Sequence, residues 1–162
     1  MTNTEYDVEL ANLRKVYVEA MPRQRYSIGR QRIQNLEHGP NVLVACVSAV
    51  EGLARSLAMH SEALRANPSD LKSKLSLIYP NYRHKAAEEL IEQYLISAGM
   101  PKPAELFGPD TWEQFHYAVQ FRNVLAHECT YLGQHLSPVL IEACQRVLHK
   151  LAEAAGLKAG DA

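Results

Sequence analysis

Apolar residues recur along most of this chain with the three- and four-residue spacing of one helical face, and stretches that alternate apolar with polar residues are rare. The pattern predicts an all-α protein. A first helix over residues 5 to 21 carries Leu10, Leu13 and Val16 as its apolar stripe, with Val18 as a secondary member, and ends near Pro22. Residues 22 to 40 are mostly polar and basic and contain Gly29 and the Gly39-Pro40 breaker, so they read as a connection with at most a short helical piece. Asn41 is placed to cap a second helix that runs to Leu64 through Leu43, Val47, Val50, Ala54 and Leu57. This helix is apolar enough to be central.

Asn67-Pro68 opens a short helix through Leu71, Leu75 and Ile78 that stops at Pro80. The next helix runs from Arg83 to Ser97, with Ala87, Leu90, Ile91, Tyr94 and Leu95 inward, and a Pro/Gly-rich link, MPKPAELFGP, follows it. Asp110 and Glu113 form a capping box for a helix that carries Trp112, Phe115, Val119 and Val124 toward His127. Ser137-Pro138 starts the last helix, which continues through Leu140, Ala143, Val147, Leu148 and Leu151 to Gly156. Four long helices and one or two short ones, joined by short connections, predict an antiparallel four-helix bundle. It forms a single domain over residues 1–156, with 157–162 as a flexible tail.

Composition agrees with this reading, for twenty alanines and twenty leucines outweigh the 21 Val, Ile and Thr residues combined. A chain of 162 residues can bury roughly 70% of its unfolded surface and needs no disulfide or metal staple. The formal net charge is −1, yet residues 14 to 32 carry Arg14, Lys15, Arg23, Arg25, Arg30 and Arg32 against Glu19 alone. One segment is therefore basic within a neutral total. Three cysteines without C-x-x-C spacing, two of them (Cys46 and Cys144) among apolar neighbours, fit a reducing compartment. The opening MTNTEYDVEL lacks a charged leader and apolar core, and the longest apolar run, Val42 to Val50, is half of the roughly 20 residues that cross a bilayer. A cytoplasmic protein with no membrane contact is expected.

Familiar catalytic signatures are absent: there is no P-loop, strand-linked G-x-G-x-x-G, H-E-x-x-H or nucleophile elbow. The chemistry-bearing segment is FRNVLAHECTYLG, residues 121 to 133, with Arg122, Asn123 and His127 near the end of a long helix. An imidazole titrates near neutrality and can take a 2′-hydroxyl proton or protonate a leaving 5′-oxygen. A guanidinium can hold two phosphoryl oxygens and stabilise their transition-state charge. Five residues of ideal helix separate Arg122 from His127 by about 140° around the axis and 7.5 Å along it. Convergence on one phosphate then needs the length of the Arg side chain or unwinding near His127. Asn123, four residues before His127, faces the same way and can orient the imidazole. The competing reading is compensation of the helix C-terminus by Arg and His.

The segment resembles the signature of the HEPN superfamily, the higher eukaryote and prokaryote nucleotide-binding domains: Arg, a polar residue that is often Asn, three more residues, then His, at the end of a long helix. The resemblance is specific over residues 121 to 133 and architectural elsewhere. It implies a homodimer that sets two Arg/His pairs in one cleft, and a metal-independent endoribonuclease that leaves 2′,3′-cyclic phosphates without any cofactor. Catalytic roles would fall on Arg122, Asn123 and His127. It also implies toxin–antitoxin or antiphage settings, with an antitoxin or defence-system protein as partner. The alternative is a non-catalytic HEPN-like nucleotide-binding or adaptor module. Members silenced by modification carry a Tyr two residues after the His; here that position is Cys129, and Tyr131 lies four residues on.

Glu51 interrupts the apolar second helix, and two roles compete for it: an anchor for Arg122 or its neighbours, as an acidic residue on this helix is in parts of the family, or an i,i+4 partner of Arg55. Tyr131 is a further supporting candidate. Arg23, Arg25, Arg30 and Arg32 are candidates for sequence-independent phosphate contacts with RNA, against a solvated basic surface or docking onto an acidic protein. Tyr79 and Tyr82 read as packing rather than base stacking. His60, His84, His116, His135 and His149 lack ligand spacing, and no metal site is expected.

Overall fold

A computed structural model describes residues 3–34, 40–66, 68–128 and 136–158. All regular structure among them is helical: α1 (Asn3–Glu19), α2 (Pro22–Gln34), α3 (Pro40–Ala66), α4 (Leu71–Ile78), α5 (Ala87–Ser97), α6 (Pro103–Phe107), α7 (Pro109–Glu128) and α8 (Ser137–Ala154). Short 3₁₀ turns at Pro68–Asp70 and Tyr79–Asn81 flank α4. Helix α3 is the hub, packing against α2, α4, α5, α7 and α8, while α7 and α8 also pack on each other. Its composition explains this position, because Val42, Leu43, Cys46, Val47, Val50, Leu53, Ala54 and Leu57 bury side chains on several faces at once. By length and composition Asn41–Ala66 could cross a membrane, but 78% of its most apolar window is buried against the other helices. Its apolar surface is used as core.

The segment expected to be a connection is instead the 13-residue α2. Pro22 supplies the fixed φ of a helix start, and a narrow stripe of Tyr26, Gly29 and Ile33 faces inward while Arg23 and Gln24 remain exposed. Such a stripe is almost invisible to a hydrophobicity pattern because its middle member has no side chain. Gly29 acts through contact distance: a Cβ there would lie 2.9 Å from the Cβ of Ala49, so the missing methyl lets α2 approach α3. Gly29→Ala would gain about 1 kcal/mol of helix propensity but force two backbones apart at an overpacking cost of about 1–3 kcal/mol. The expected result is a net loss of stability in urea unfolding; a more stable variant would contradict the close approach.

Other starts and ends shift for local reasons. In α1, Val18 is buried at 8% exposure and Val16 is 68% exposed, which reverses their expected ranks; the side chains of Leu10 and Leu13 lie outside the described residues. Asn41 follows Pro40 inside the first turn of α3 and is not its cap. Asp110 likewise lies inside α7; the carbonyl of Gly108 accepts from the Trp112 amide at 3.0 Å, so the expected capping box is replaced by an acid placed toward the helix dipole. The link after α5 contains α6, whose Phe107 stacks on Trp112, itself stacked on Phe115, with ring centroids 5.6 Å apart in each pair. The fifth helix starts at Ala87 rather than Arg83, because the chain turns where the Lys85 amide donates to the Tyr82 carbonyl at 3.2 Å. Gly156, at φ 75°, ends α8 as expected, with Leu157 donating to Ala152 at 2.8 Å.

Candidate functional site

One carboxylate in an apolar helix organises the polar groups at the centre of the molecule. Glu51 lies midway along α3, at 21% side-chain exposure, between two guanidiniums from different directions. Arg55, one turn on in α3, donates from Nη2 to Oε1 at 2.9 Å. Arg122, from α7, donates from Nη2 to Oε2 at 2.8 Å. Both roles weighed for Glu51 are therefore present together. Burial pushes its carboxyl pKa up, but the two guanidiniums outweigh that effect and hold it below its ordinary value. The group is a fixed negative charge at neutral pH.

Each arginine uses its remaining donors differently. Arg55 is 7% exposed and also donates from Nε to the Tyr82 carbonyl at 3.2 Å and from Nη2 to the Lys85 carbonyl at 3.3 Å. It ties the turn before α5 to α3, which is a structural task. Arg122 is 17% exposed; its Nε donates to Asn123 Oδ1 at 2.9 Å, and its Nη1 reaches Ser48 Oγ at 3.5 Å. Asn123 itself is exposed. The guanidinium that the sequence motif singles out is thus oriented by Glu51, Ser48 and Asn123, an arrangement suited to presenting a fixed cation to an anionic group.

His127 belongs to α7, which remains helical through Glu128, so unwinding before His127 does not bring it toward Arg122. The side chains of His127 and Arg32 lie outside the described residues, as do Cys129, Tyr131 and His135. The other basic candidates divide. Arg25 reaches α3, its Nη2 lying 2.6 Å from where a Cβ on Gly52 would stand, beside Glu51. Arg30 instead lies over the Tyr26 ring, 5.6 Å from its centroid, and Arg23 is exposed on α2.

Of the remaining polar residues, Tyr82 is buried, with its hydroxyl bonded to Glu62 and to Gln93, which agrees with packing. Burial first, and Glu62 second, raise its pKa to about 12. His60 is buried on α3, with Nδ1 donating to the Ser56 carbonyl at 2.8 Å; burial lowers its pKa. His116 pairs with Glu88 at 2.6 Å, and His149 meets the Tyr26 hydroxyl at 3.1 Å. Cys46 and Cys144 are buried free thiols, and burial raises the pKa of Cys46 to about 11. Sequence reasoning missed Ser48, although its place one turn before Glu51 on the same helix face was a readable signal. It also missed Arg83, which lines a groove with Arg25, Glu51 and Arg55. Neither a protein-family model, nor a curated protein, nor a solved structure matches the chain.

Proposed function

We propose that this protein is a HEPN-type, metal-independent endoribonuclease acting as a homodimer in the cytoplasm. In this reading α3, α5, α7 and α8 form the family's four-helix bundle. The observation that carries it is the orientation of Arg122: a half-buried carboxylate on the central helix holds the one guanidinium that the R-N-x-x-x-H pattern requires. A guanidinium that served only the helix terminus would need no such anchor.

His127 takes the proton from a ribose 2′-hydroxyl, the 2′-oxygen attacks phosphorus, the bond from phosphorus to the 5′-oxygen breaks, and the leaving oxygen receives its proton from the imidazolium. Arg122 stabilises the charge that builds on the phosphoryl oxygens, and Asn123 orients the imidazole. The 140° separation on α7 favours a cleft shared by two copies. Tyr117 and Val124, seven residues apart on α7, and Leu136 and Val139 at the start of α8 are exposed apolar side chains that offer a second copy a surface. Incubating the purified protein with RNA in EDTA tests the reading. Cleavage is expected, with induced expression arresting growth; intact RNA and harmless expression would point to the adaptor alternative.

A further inference from the structure

Between α1, α2 and α3 lies a groove of about 840 Å³, within the roughly 300–1,000 Å³ typical of small-molecule sites. Among the described residues its polar end is lined by Arg25, Arg55 and Arg83 against one carboxylate, Glu51, whose charge is shared with Arg122. Three guanidiniums facing one such carboxylate make the end electropositive and attract an anion. Ile28, Val44 and Ala45 form an apolar wall, and Tyr79 adds an aromatic ring. A bare inorganic anion would leave that wall uncovered. An anion joined to a flat, largely apolar body matches both ends, and a nucleotide has that form.

We propose that this groove seats one nucleotide of the RNA next to the scissile phosphate, its phosphate toward Arg25 and Arg83 and its base against Tyr79 and the Ile28 wall. The proposal rests on the reading of RNA as substrate. Its position follows from two shared residues: Ser48 and Glu51 line the groove and also hold the Arg122 guanidinium, at 3.5 and 2.8 Å. The groove and the Arg122 guanidinium therefore share the same two side chains. Part of the basic segment reaches the site in this way, through Arg25 on α2, although its summed charge is hidden in a neutral chain.

The test is binding of a short fluorescent 2′-O-methyl RNA, which cannot undergo internal attack, followed by anisotropy. Arg83 is exposed and Ala45 is half-buried; Arg83→Ala and Ala45→Trp, checked for helicity, are each expected to weaken binding about tenfold. Adenosine monophosphate should displace the probe at lower concentration than inorganic phosphate. Unchanged binding in both variants, or equal competition by phosphate and nucleotide, overturns the groove assignment. Cleavage without groove dependence would spare the nuclease reading and sink this one. Groove-dependent binding without any cleavage would do the reverse.

Discussion

Arg122→Ala is expected to slow RNA cleavage by about 10²–10³-fold, the usual effect of deleting one preorganised donor to developing oxyanion charge. Helicity should be retained, because Glu51 keeps Arg55 as a partner at 2.9 Å. Arg122→Lys should recover little of the loss, since an ammonium cannot hold Glu51 and Asn123 while offering a planar fork to phosphate. Initial rates on a fluorogenic RNA, set beside circular dichroism of each variant, provide the readout. Wild-type rates in a folded Arg122→Ala protein would reduce the Arg122–Glu51 pair to architecture.

Glu51→Ala has the largest expected effect on stability, a loss of about 3 kcal/mol, because it leaves two guanidiniums, 7% and 17% exposed, without their common carboxylate. Glu51→Gln keeps the shape and an acceptor, so it should lose less. Wild type and Glu51→Gln also differ in pH response. The folded carboxyl titrates below its ordinary value of 4.5, so its ionised form contributes stability that is fully present above that pH and is lost as pH falls through the folded value. Urea unfolding should therefore separate wild type from Glu51→Gln at neutral pH, and the gap should narrow as pH falls below 4.5 and through the folded value. A constant gap across that range would show that the charge of Glu51 does not stabilise the fold.

Much of the helical pattern was legible because α3, α5 and α8 bury Leu, Ile and Val at helical spacing, and that spacing survives folding. Helix α2 was not, because its contact with α3 depends on a glycine whose missing methyl matters only once Ala49 is known to lie opposite. Caps were misplaced for a similar reason. Asp110 has the residue type and spacing of a cap, yet Gly108 already ends α6 and begins the next turn. At the site, the i,i+4 relation of Glu51 to Arg55 is local and readable, whereas the Arg122 contact spans 71 residues and was suggested only by family resemblance. Ser48 and Arg83 acquire meaning from the groove, a feature that no linear spacing displays.

In the proposed reaction the Arg122-bearing end of α7 cleaves RNA by internal attack with His127 as the proton-transfer group. Analysis of the ends produced from RNA in EDTA by wild type and by His127→Ala tests it most directly. Wild type is expected to leave 2′,3′-cyclic phosphate and 5′-hydroxyl ends, falling by at least about 100-fold in the variant. Ends bearing 3′-hydroxyl and 5′-phosphate, or cyclic ends formed equally well by His127→Ala, would contradict it.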